Sequence, residues 1–82
     1  MDLFFFHLNR LGQTIFDREG TRLPGLDEAC QEAIRSAREL MIQDLKTDKP
    51  LSLDDRVDIA DENGLLLLTV TFKQALGLPV SA

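Results

Sequence analysis

The stretch DEACQEAIRSARELMIQDLK, residues 27–46, decides how this chain folds. Counted from Leu26, its apolar residues fall at 26, 29, 30, 33, 34, 37, 40, 41 and 45. That three-and-four spacing draws one continuous stripe along a helix. Glu28, Glu32, Arg35, Glu39 and Lys46 fall opposite, where water belongs. Arg35 and Glu39 are four apart and placed to pair. Asp27 stands where an N-cap belongs, and Glu28 adds negative charge to the first turn, both suited to the positive end of a helix. Asp48-Lys49-Pro50 ends the helix, because Pro50 disfavours helical backbone at the residue before it. Two residues break the pattern: Asp44 lies on the apolar side and Ile42 off it. The expectation is that the last turn projects beyond whatever the helix covers.

Outward from the helix, both flanks read as hairpins. Leu3-Phe4-Phe5-Phe6-His7-Leu8 is short and aromatic, bounded by Asn9-Arg10-Leu11-Gly12, and Thr14-Ile15-Phe16 follows before the turn Asp17-Arg18-Glu19-Gly20. Beyond the helix, Arg56-Val57-Asp58-Ile59-Ala60-Asp61 alternates with period two. Asp61-Glu62-Asn63-Gly64 offers a hairpin loop, and Leu65 to Phe72 returns. The expected class is α+β: a single ββαββ domain over residues 1–74. Its strands are expected at about 2–9, 13–17, 55–61 and 65–72 and its helix at about 27–46, with 75–82 as a C-terminal tail. One helix packed on one face of a four-stranded sheet buries the single stripe. The most apolar strands, 3–8 and 65–72, are expected at the centre and parallel, with the charged strand 56–61 at an edge. That gives the order 2-1-4-3, with a right-handed connection through the helix.

The whole chain is consistent with one small core. Its 82 residues are 44% hydrophobic and 28% charged, a globular composition, and too short for two independent cores. A single Cys30 excludes an intramolecular disulfide framework. No apolar run approaches the roughly 18 residues that cross a bilayer, and no basic-then-apolar leader opens the chain, so a cytoplasmic protein without membrane contact is expected.

One helix covers one sheet face, and the other face of a lone domain should be polar. Alternation instead turns Leu3, Phe5, His7, Leu65 and Leu67 away from the helix. An apolar patch there marks an interface. A second copy, sheet against sheet, is the expected cover; the alternative is the tail from Ala75 to Val80 folding back.

Little chemistry is visible. His7 has no nucleophile or orienting carboxylate beside it in sequence. It reads as a histidine at a strand end or interface, where its charge could make association pH-sensitive. Cys30 lies in the apolar stripe, and with His7 it does not make a metal site. Asp54, Asp55, Asp58, Asp61 and Glu62 are the densest charge, without the ligand ladder of a calcium loop. They read as a solvated edge or as a docking surface for a basic partner. Arg18, Arg22, Arg35 and Arg38 form no basic stripe, and a pI near 4.6 argues against nucleic acid. No glycine motif cradles a phosphate, and no cofactor is implied.

Several pieces together resemble a known family. They are Phe5-Phe6-His7-Leu8, Asp17-x-x-Gly20 with Leu23, the Ala-rich helix Ala29 to Leu40, and Ile59-x-Asp61-Glu62-x-Gly64 leading into Leu68-x-Val70-x-Phe72. In order and spacing over about residues 3–74 they look like a small bacterial domain-of-unknown-function family, found in rhizobia-like alphaproteobacteria. The resemblance implies the architecture and a bacterial origin, and no catalytic or binding residue. Leu23-Pro24-Gly25-Leu26 through Glu39-Leu40 is also similar to HicB-type antitoxin domains, which implies an inhibitor of a small basic protein. The expected function is a non-enzymatic, self-associating protein-binding module. The alternatives are an antitoxin-like inhibitor of a basic protein, and a small-ligand binder or minor enzyme using His7.

Overall fold

A computed structural model describes residues 1–77. The elements run β1 (Asp2–Arg10), β2 (Gln13–Ile15), β3 (Thr21–Leu23), α1 (Leu26–Lys46), β4 (Arg56–Ala60), β5 (Leu66–Thr71) and α2 (Phe72–Ala75). The fold is α+β: one main helix lies on a five-stranded antiparallel sheet. Among the described residues, no helix is long and apolar enough to cross a membrane.

The strand order differs from the sequence expectation. It is β2-β1-β4-β5, with β3 also paired to β1. In four-strand terms the expected 2-1-4-3 becomes 2-1-3-4, and the two central strands are antiparallel, Phe6 opposite Ile59 and Leu8 opposite Val57. The charged strand is therefore central, not an edge. Its charge is tolerated there because Val57 and Ile59 are buried toward α1 while Asp58 turns to the open face. The Leu-rich strand β5 takes the edge. Short β3 escaped the sequence reading because only three residues, Thr21 to Leu23, rejoin β1 after the loop 16–20.

The line of α1 that reaches the sheet is narrower than the stripe in the sequence. Ala29, Ala33 and Ala37 are fully buried, with Met41 close behind. Small side chains every fourth residue bring the helix axis close to the sheet, over Phe4, Ile59 and Val70. Leu26, Ile42 and Leu45 stay exposed. The N-cap is Gly25, without a side-chain bond, and not Asp27; Asp27 and Glu28 both sit in the first turn, where the dipole favours their charge. Arg35 pairs with both Glu32 and Glu39 along the exposed side.

The far end of α1 closes with a left-handed residue. Lys49 N–H donates to the Asp44 carbonyl at 2.8 Å and Asp48 N–H to Leu45 at 3.3 Å, with Asp48 at φ 57°. This is the doubly bonded helix terminus that usually carries glycine. Asp48→Gly removes the Cβ strain and an anion from the negative helix end. It is expected to raise stability by about 1 kcal/mol, read as a higher urea midpoint with an unchanged slope.

Phe72 was expected to end the last strand and instead starts α2. Thr71 caps this turn, its hydroxyl accepting Gln74 N–H at 3.0 Å while Gln74 Oε1 accepts Thr71 N–H at 2.9 Å. Phe72 and Ala75 are fully buried, and Arg38 Nε donates to the Ala75 carbonyl at 2.6 Å. The chain thus leaves the sheet on the α1 side as far as Gly77. The rest of the expected tail lies outside the described residues.

Candidate functional site

The sheet face turned away from α1 divides into two halves. One half is polar and tied across four strands. Thr14 Oγ1 donates to Asn9 Oδ1 at 2.6 Å, Asn9 Nδ2 to Asp58 Oδ2 at 2.7 Å, and Thr69 Oγ1 to Asp58 Oδ1 at 2.8 Å. Arg56 Nε lies 3.4 Å from the same carboxylate. This ladder ties polar side chains of four strands to one another across an open surface.

The other half is apolar. Phe5 and His7 stack at 6.3 Å, and Phe16 meets His7 edge-on at 5.2 Å. Phe5 pairs with Ala60, and Ala60 with Leu66, so these three form a row across β1, β4 and β5. Leu3, Phe5 and His7 are half-buried, whereas Phe16 is 65% and Leu66 56% exposed.

A bulge decides which leucines belong here. Ile59 pairs with Leu68 but Ala60 pairs with Leu66, so Leu67 is the extra residue. A one-residue slip exchanges the faces of a strand. Leu67, expected to point outward, packs against the core cluster, and Leu66, expected inward, takes its place on the outer face. Leu65 is exposed in the turn before β5, where its N–H and carbonyl both bond Asp61.

His7 is held rather than free. Its Nδ1 accepts Asp17 N–H at 3.1 Å, which leaves the ring proton on Nε2. The Asp17 carboxylate in turn accepts Phe6 N–H at 3.1 Å, Glu19 N–H at 3.2 Å and Gly20 N–H at 3.1 Å. Burial pushes the Asp17 carboxyl up, but the three backbone N–H groups outweigh it and hold the carboxyl below its ordinary value. A carboxylate whose folded pKa is lowered adds stability that is fully present above the unfolded carboxylate value. That stability is lost as pH falls through the lowered folded value. Asp17→Asn is therefore expected to destabilise the protein near neutrality. The gap to the wild type should close in acid, when urea midpoints are compared across pH.

The expected acidic docking surface does not assemble. Asp58 belongs to the polar ladder, and Asp61 accepts Asn63 N–H and Leu65 N–H inside its turn, each at 2.9 Å. Asp55 is buried, and only Asp54 and Glu62 are freely exposed.

The destination of Asp55 was missed from sequence. Arg10 Nε donates to Asp55 Oδ2 at 2.8 Å, and Nη2 of the same guanidinium to Asp44 Oδ2. Ser52 Oγ adds a bond to Asp55 Oδ1 at 3.0 Å, and the guanidinium lies 5.6 Å from the centre of the buried Phe72 ring. Bonds to Asp44, then to Asp55, raise the Arg10 pKa above its ordinary value against the opposing effect of burial. The signal was present: Asp44 on the apolar stripe was a buried charge awaiting a partner, not the sign of a projecting last turn. Cys30 packs partly buried against the core, and among the described residues no cluster of His, Cys, Asp and Glu is placed to hold a metal.

Compared with known proteins, residues 3–73 match the domain of unknown function DUF6894. The chain belongs to the DUF6894 family. No curated protein and no solved structure matches it. This DUF6894 chain presents two surfaces of note, the apolar half of the outer face and the end of the sheet around Arg10.

Proposed function

We propose that this DUF6894 protein is a non-enzymatic binding module that works as a homodimer, formed over the apolar half of the outer sheet face. The observation that carries the proposal is the exposure of Phe16 and Leu66 on either side of Phe5 and His7. Lone antiparallel sheets keep such faces polar, and contiguous apolar patches mark interfaces. The sheet edges favour the face over strand addition. One edge is interrupted by the loop 16–20, whose Asp17 carboxylate takes Phe6 N–H. The other carries the bulge at Leu67 and ends in the Thr71–Gln74 capping box. A bulge that twists an edge strand, and a loop that covers an edge, are ways in which sheets block edge pairing. The proposed setting is a bacterial cytoplasm, where a lone Cys30 stays reduced. Neither nucleic acid nor a membrane is a proposed partner.

Two leucine variants test the face. Leu66→Asp is expected to halve the mass seen by light scattering while leaving the helical circular dichroism intact. Leu67→Asp places a charge against the core and is expected to unfold the chain instead. A Leu66→Asp protein with the same mass as the wild type would remove the outer face as the interface.

A further inference from the structure

A second surface lies at the C-terminal end of α1. The β1–β2 turn and the segment 49–55 enclose an open cleft of about 730 Å³. Its walls are Leu11, Ile15 and Leu51, all exposed, and its floor is the Arg10–Asp44–Asp55 network.

Three observations bear on what this cleft takes. First, Asp44 is only 4% exposed, yet its Oδ1 has no hydrogen-bond partner among the described residues. No fully buried side-chain oxygen there lacks a partner, so solvent still reaches Oδ1, and Asp44 lines the cleft. Asp44 thus brings one unpartnered oxygen of a nearly buried carboxylate to the cleft that it lines. Second, the charges lining the cleft do not balance. Arg10 and Lys49 stand against Asp44, Asp54 and Asp55, in a chain that is itself −5. Third, Leu11 is held at φ 51° beside Gly12 at φ 77°, in a two-residue turn suited to Asn-Gly. A leucine in left-handed backbone is strained, and at 87% exposure it gains no burial within this chain in return.

The geometry points to a docking site for a basic segment of another protein, with an Arg or Lys directed at Asp44 and Asp54 and flanking apolar side chains gripped by Leu11, Ile15 and Leu51. This surface is separate from the self-association face, and its use does not depend on the dimer. The unpartnered carboxylate oxygen supplies the acceptor, the excess negative charge selects a cation, and the strained leucine supplies the apolar wall.

The probe is the tripeptide acetyl-Leu-Arg-Leu-amide, titrated into the ¹⁵N-labelled full chain. Saturable shifts are expected at the amides of Leu11, Gly12, Ile15 and residues 51–55. Binding should be about tenfold tighter than for the Gln analogue and should weaken with salt. The Glu analogue is expected not to bind. Asp54→Asn should weaken the Arg peptide toward the Gln analogue. Leu11→Asn relieves the turn and is expected to raise the melting temperature while weakening the peptide severalfold. No saturable shift at millimolar peptide, equal binding of the Arg and Gln peptides, or shifts confined to the outer sheet face would each overturn the assignment. So would a Leu11→Asn variant that binds the peptide as the wild type does. None of these results bears on the mass of the protein in solution, so the dimer stands or falls separately.

Discussion

Arg10→Ala is expected to remove about 3 kcal/mol of stability. A chain of this length holds on the order of 4–12 kcal/mol in total, so the loss is a large share. The cause is what stays behind. Asp44 and Asp55 are both almost fully buried and share the one guanidinium. Deleting a single partner of a buried ion pair strands the other charge, which is why such deletions cost more than the pair contributes. The estimate stands at the low end of the usual range because the Arg10 side chain is 25% exposed and partly screened. Urea unfolding at neutral pH measures it. Adding Asp44→Leu to Arg10→Ala should recover part of the loss, since one stranded carboxylate is gone. A loss below about 1 kcal/mol would mean that the network is no more than a surface ion pair.

Phe72→Ala is the second large effect, at about 3–5 kcal/mol. The ring is fully buried, begins α2, and belongs to the same core cluster as Ala29, Ala33 and Ala37. Alanine would leave a cavity that the short α2 is poorly placed to fill, because Ala75 is already pinned by Arg38. The ring also lies under the Arg10 guanidinium. A double-mutant cycle between positions 10 and 72 should therefore show coupling of about 0.5–2 kcal/mol. Strict additivity would separate the ring from the ion network.

What the sequence disclosed, and what it did not, follows from the range of the forces involved. α1 was legible to within one residue at its start, because a stripe of apolar side chains is a local signal. Both hairpins were legible from their turns. Strand order was not. The choice between β4 and β5 as the neighbour of β1 depends on pairing across the length of α1, which no local pattern records. Hydrophobicity alone places Leu65 to Phe72 at the centre. The bulge at Leu67 explains why that run is so apolar at an edge: it turns Leu66 to the outer face and both Leu67 and Leu68 toward the core.

The candidate site was half legible. Leu3, Phe5 and His7 follow from alternation alone; alternation also puts Ile15 and Phe16 on opposite sides without saying which takes which, and Phe16 lies against His7. Leu66 and Leu67 exchanged roles because one inserted residue reverses every face beyond it. Asp44 and Asp55 were misread for a different reason. A buried charge is recognised by its partner, and Arg10 lies 34 and 45 residues away in the chain.

Two copies are proposed to meet through the apolar half of the outer face. An isotope-filtered NOE experiment on a mixed labelled and unlabelled sample tests this most directly, because it reports only contacts between copies. The expected result is intermolecular contact between the rings of Phe5 and Phe16 in one copy and the methyl groups of Leu66 in the other. The claim is contradicted if no intermolecular contact is seen at millimolar protein, or if the contacts fall along the β5 edge or around Leu11 instead.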